Sequence, residues 1–106
     1  GIKFIIVKRG SGGSLLVTKK SFDWVPSYPF CDVVDPTGAG DSYAGALFSS
    51  LDILTSLTSK SIIDSMVYAS ALSSFTIESF GVDSLLKLKK KDILKREREL
   101  RKIARI

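Results

Sequence analysis

The chain has 106 residues, room for one small domain, and its 44% hydrophobic and 25% charged content is ordinary for a globular protein. No apolar run is long enough to cross a bilayer, and with no histidine and one cysteine, Cys31, a His/Cys metal site and an internal disulfide are both excluded. The net charge of +5 is unevenly spread: residues 1–80 hold 6 Lys and Arg against 7 Asp and Glu, whereas residues 81–106 hold 10 against 4, so the body of the chain carries no nucleic-acid signature.

The opening GIKFIIVKRG reads as a strand over residues 2–8 rather than as a secretory leader. Ile2, Phe4, Ile5, Ile6 and Val7 form a nearly continuous apolar run, which predicts a strand covered on both faces within a larger sheet. That start, without an initiator Met, is read as a fragment, a processed chain or a trimmed one. The lone cysteine fits a reducing compartment, and a cytoplasmic location is expected. Lys8–Gly13 (KRGSGG) reads as a turn. Leu15–Thr18 follows as the second strand of a hairpin, and Ser21–Val25 suggests a third, ended by Pro26 and Pro29. Val33–Val34 reads as a short extended piece.

From Ala39 to about Leu57 the pattern is helical, with Ala39, Gly40, Ala44, Gly45 and Ala46 keeping the first turns slim enough to lie close to a sheet or a ligand. Ser61–Phe75 predicts a second helix with Ile62, Met66, Ala69 and Leu72 near one face. Phe80–Gly81 reads as a break. Asp92 is expected to cap a last helix in which Ile93, Leu100 and Ile103 form an apolar stripe amid Lys, Arg and Glu. That pattern favours a docked, solvated terminal helix over an RNA- or membrane-binding arm. Few short strands and three helices make a thin core, since a lone hairpin is marginal in water. The alternative is a small stand-alone α+β domain.

The segment that carries chemistry is VVDPTGAGDSYAGAL, residues 33–47. Glycines flank Ala39 directly before an apolar helix. A Gly-rich start of this kind aims several backbone N–H groups at one point, and the helix dipole adds partial positive charge there, which makes an anion hole. Asp41 stands in the same first turn, where its charge would repel a bound phosphate. Two readings resolve this. Asp41 takes the proton of a hydroxyl that attacks the phosphate, or it is a helix-capping carboxylate.

Asp35 to Asp41 (DPTGAGD), followed by Ser42, Tyr43, Ala44, Gly45 and Ala46, resembles the second signature of the PfkB, or ribokinase-type, carbohydrate kinases, written DTxGAGD before an aromatic and small residues. Pro36 stands where Thr is commoner. Val7–Gly13 (VKRGSGG) resembles the family's strand-and-turn element, and Tyr68–Gly81 (YASALSSFTIESFG) its Ala/Ser-rich helix and glycine beside the nucleotide base. The resemblance spans about residues 3–100. It implies an α/β, ribokinase-like three-layer sandwich of which residues 1–106 are the C-terminal, ATP-binding and catalytic part, an incomplete domain.

By position, the resemblance makes Asp41 the general base and Gly38, Ala39 and Gly40 the anion hole. It brings Gly10, Gly13 and Thr37 to the nucleotide, and sets Asp35 in a monovalent-cation loop, with a turn-stabilising Asx role as the alternative. Lys8 and Arg9 lie either near phosphates or in solvent. KRGSGGS is not a Walker A loop, since no Gly-Lys-Ser/Thr follows. The implied cofactors are ATP and Mg²⁺, with K⁺ admitted by the cation loop. The implied partners are a sugar or nucleoside and the N-terminal remainder of the kinase, with a homodimer allowed and neither nucleic acid nor membrane expected. The acidic motif tied to Mg²⁺ and the residues that choose the acceptor belong to that remainder. A non-catalytic nucleotide-binding or interaction module that kept the anion hole is the other reading.

Overall fold

Three short strands form an antiparallel meander: β1 (Phe4–Lys8), β2 (Ser14–Thr18) and β3 (Phe22–Val25), in the order β1-β2-β3. Among the described residues three helices of several turns follow: α1 (Ala39–Asp52), α2 (Ser59–Thr76) and α3 (Lys90–Ala104). The computed structural model describes residues 3–31, 33, 37–78 and 86–106. The expected features at Val34, Asp35 and Phe80–Gly81 lie outside them. No described helix is long and apolar enough to cross a membrane.

The sheet register explains its two faces. Ile5 pairs with Val17 and Val7 with Leu15, while Leu15 pairs with Trp24 and Val17 with Phe22, so these six side chains share one face. Phe4, Ile6, Leu16 and Val25 point the other way, where Leu16 and Val25 are fully buried. Helices cover only that second face. Ile5 and Val7 are 50% and 41% exposed, so within the described residues β1 has a single packed face, and the expected cover on its other side is not among them.

Helix α2 is the spine, touching α1, α3, β2 and β3. It is therefore buried around most of its circumference, with Ile62, Met66, Val67, Ala69 and Ala71 in the core alongside Tyr43 and Leu47 of α1 and Leu100 of α3. Burying a side chain such as Met66 or Leu100 contributes about 1.5–3 kcal/mol. The N-terminus of α2 is closed by Thr58, whose side chain accepts the Ser61 N–H at 3.1 Å while the Ser61 hydroxyl accepts the Thr58 N–H at 2.9 Å. This capping box starts α2 two residues earlier than expected, and α1 stops at Asp52 instead of Leu57.

Helix α3 docks on α2 by Ile93 and Leu100. Ile103 is 41% exposed and falls off the expected stripe. Asp92 is not the N-cap residue either. It lies three residues into the terminus and accepts the Lys89 N–H at 3.1 Å, satisfying an orphan donor from inside the helix.

Candidate active site

The slim start of α1 is built by Gly38, which occupies the left-handed region at φ 84°, ψ −5°. Only glycine takes that geometry without strain. Gly38 has no side chain with which to cap the helix, and no side-chain cap is formed there among the described residues. The Ser42 N–H closes the first helical bond to the Gly38 carbonyl at 2.9 Å, so the N–H groups of Ala39, Gly40 and Asp41 have no acceptor within the helix. The contrast with α2 is direct: one terminus is sealed by a hydroxyl, the other is left open.

That open terminus adjoins a cavity of about 920 Å³. Ala39, Gly40 and Tyr43 of α1 line one side, Lys8, Gly10, Gly13 and Ser14 of the β1–β2 turn another. The end of α2 contributes Ser70, Ser73 and Ser74 with Ile77, and the segment after β3 contributes Tyr28 and Pro29. The turn is held from behind. Trp24 donates its indole N–H to the Gly12 carbonyl and Ser27 its hydroxyl to the Ser11 carbonyl, each at 2.8 Å. Gly10 and Gly13 sit at φ 56° and 84°. A Cβ on Gly13 would meet the Val25 carbonyl oxygen at 2.3 Å, so β3 passes where only a glycine leaves room.

Lys8 ties the turn to the helix. Its Nζ donates to the Gly40 carbonyl oxygen at 3.2 Å and lies 5.8 Å from the Tyr43 ring centroid. Tyr43 in turn donates its hydroxyl to Ser14 Oγ at 2.8 Å, a buried bond. Burial pushes the Tyr43 phenol up, with the Ser14 hydrogen bond working against it, so the phenol stays a neutral donor. Thr76 at the end of α2 donates to Ser42 Oγ at 2.8 Å, pinning the two helices together beside the open terminus.

The chain therefore brings Gly10, Gly13, Ala39 and Gly40 to one cavity, with Gly38 as the turn that aims them. Asp41 stands exposed on the same first turn; Thr37 is exposed just before it. Asp35 lies outside the described residues. Among those residues no group of three or more His, Cys, Asp or Glu could hold a metal ion, so ligands for Mg²⁺ are not assembled there. Sequence reasoning missed Tyr28, Pro29 and Ser14. The prolines around Tyr28 read only as the end of a strand, and nothing in the local pattern marks that segment as a cavity wall.

Comparison with known proteins supplies the family. The description "pfkB family carbohydrate kinase" matches residues 1–89. The chain belongs to that family. The bifunctional ribokinase/ribose-5-phosphate isomerase A of Fructilactobacillus sanfranciscensis is 39% identical over 84 residues, covering 79% of this chain and 15% of the relative. Among solved structures, the aminoimidazole riboside kinase of Salmonella enterica, complexed with aminoimidazole riboside and an ATP analogue, superposes with a TM-score of 0.78 at 26% identity, over 92% of this chain and 32% of that one. Arabidopsis thaliana ribokinase, complexed with ribose and ATP, gives a TM-score of 0.71 at 28% identity, over 92% and 30%. The fold is thus the ribokinase-type α/β fold, and this pfkB-family chain spans about a third or less of the length of the relatives it matches.

Proposed function

We propose that residues 1–106 form the C-terminal, ATP-binding and catalytic portion of a cytoplasmic kinase that moves the γ-phosphoryl group of ATP, supplied with Mg²⁺, to a hydroxyl of a sugar or nucleoside. The observation that carries this reading is the uncapped terminus of α1, opened by left-handed Gly38 and facing a cavity with the Lys8 ammonium beside it. Three N–H groups without an acceptor in the helix, a helix dipole and a cation converge on one region, which suits a polyphosphate. The phosphates lie against Ala39 and Gly40, under the Gly10–Gly13 turn.

Asp41 is the general base. The acceptor hydroxyl approaches the γ-phosphorus, its proton passes to an Asp41 carboxylate oxygen, the new O–P bond forms and the bond to the ADP oxygen breaks. The anion hole of Gly38–Gly40 takes up charge on the transferring group. The remainder of the kinase supplies the acceptor pocket and the acidic residues for Mg²⁺, and K⁺ dependence rests on the loop holding Asp35.

Asp41→Asn in the complete kinase tests this assignment. Asparagine keeps the size and hydrogen-bonding reach but cannot take the proton, so turnover should fall by roughly 10²–10⁴-fold. Nucleotide affinity should hold level or rise slightly, because a negative charge near the phosphates is gone. A capping role alone predicts almost no loss, since Asn caps as well as Asp. Turnover and ADP affinity measured side by side decide between them, and near-normal turnover sinks the catalytic assignment.

A further inference from the structure

Helix α3 supplies no side chain to the cavity among the described residues, yet it grips two that line it. Arg96 lays its guanidinium over two rings, with Cζ 3.6 Å from the Phe75 centroid and 4.5 Å from that of Tyr28. Its Nη1 donates to Ser74 Oγ at 2.7 Å, and Nη2 pairs with the Glu78 carboxylate. One turn along α3, Glu99 accepts the Tyr28 hydroxyl at 2.9 Å. The Arg96 side chain is only 15% exposed, so this is a desolvated clamp and not a surface ion pair. A planar cation packed against two rings and bonded through both terminal nitrogens has one orientation, and it imposes one on its partners.

The partners need it. Tyr28 lies in the stretch after β3 that has no regular secondary structure, so tertiary contacts alone fix its ring. Ser74 and Ile77 sit at the end of α2, where backbone bonding runs out. Both sides of this wall meet at Arg96.

We propose that Arg96 is a positioning residue for nucleotide binding: from α3 it sets Tyr28 and Ser74, and so the shape of the cavity wall, without touching the ligand. The inference rests on the nucleotide reading of the cavity. It makes the terminal helix a working part of the site. The family match ends at residue 89, before α3 begins.

The test uses the complete kinase with Arg96→Lys and Arg96→Met. Lysine keeps the charge but cannot stack as a plane or bond at both ends. Both variants should raise the KM for nucleotide by about tenfold, the scale of one lost charge-assisted contact, with ADP affinity by calorimetry falling in parallel. Turnover at saturating nucleotide and the KM for the acceptor should change less than about twofold, because the start of α1 is untouched. A merely structural clamp predicts a lower Tm with unchanged nucleotide KM below that Tm, and lysine rescuing much of the loss. That pattern overturns the proposal. If neither variant folds, Glu99→Ala removes only the second tie and should raise nucleotide KM by about threefold; no change there also overturns it. Failure of the unmodified kinase to bind ADP would overturn the nucleotide reading itself, whatever Arg96 does.

Discussion

The ammonium of Lys8, at the last position of β1, donates a hydrogen bond to the carbonyl oxygen of Gly40, in the first turn of a helix 32 residues further along the chain. The bond joins the two glycine-rich elements of the site and leaves a positive charge at the open end of α1.

Lys8→Met should therefore weaken nucleotide binding more than it weakens the fold. Methionine keeps most of the apolar stem, so the packing of β1 persists. Loss of the charge should raise the KM for ATP by about tenfold at low salt, and less as added salt screens the unmodified enzyme. Initial rates over a range of ATP and NaCl concentrations check this. An unchanged KM would return Lys8 to the class of solvated surface charges.

The two left-handed glycines of the β1–β2 turn should respond unequally to a methyl group. At Gly10 nothing lies within 4 Å of the added Cβ, so Gly10→Ala costs only backbone strain, about 1–2 kcal/mol. At Gly13 the Cβ meets the Val25 oxygen at 2.3 Å, Trp24 Nε1 at 2.8 Å and Pro26 Cα at 3.0 Å, two of them backbone atoms that cannot swing away. Gly13→Ala should cost at least about 3 kcal/mol, strain and clash together. Thermal unfolding of the two variants should rank Gly13→Ala clearly below Gly10→Ala; equal melting temperatures would count against this turn geometry.

Glu97 supplies a pH-dependent test. Burial pushes its carboxyl above the usual glutamate range; Arg101 pulls it back down and Asp64 adds to the rise. A carboxyl whose pKa is higher in the folded state favours folding while protonated, so its contribution is full in acid and is lost as pH rises through the raised value. Glu97→Gln, which is always neutral, should melt slightly higher than the unmodified protein at pH 7. The difference should shrink towards zero as pH falls below about 4.3. Because the group is only partly buried, the gain belongs in the range of roughly 0–1 kcal/mol. A destabilised variant at pH 7 would reverse the sign and show that the Arg101 attraction outweighs burial.

Much of this arrangement is legible in the residues themselves, and the misreadings have physical causes. The hairpin follows from KRGSGG between two apolar runs, and the glycine turn that opens α1 from GAG before an apolar helix. The apolar Ile5 and Val7 lie on a face that no described residue covers, so the run reads as two-faced while only one face is packed within these residues. The start of α2 was missed because its box uses Ser61 where Glu or Gln is usual, a weaker signature. Asp92 was set at the cap because its residue type suits that position, but an acidic group three residues in can bond back to the same terminus. The Arg96 clamp had no local signal: Tyr28 and Phe75 are 68 and 21 residues away along the chain, and only the fold brings them together.

The uncovered side of the meander has its own physical outcome. Phe22 at 79%, Ile5 and Trp24 at 50% and Val7 at 41% exposure make one contiguous oily surface, and among the described residues β1 is an outer strand with no partner along its free side. Both features recruit other chains, the first by burying hydrocarbon and the second by adding a strand. A solution of this polypeptide by itself should bind hydrophobic dyes and precipitate as its concentration rises. A charged substitution at Phe22, which makes no contact with the β1–β2 turn, should hold it in solution while leaving the cavity intact.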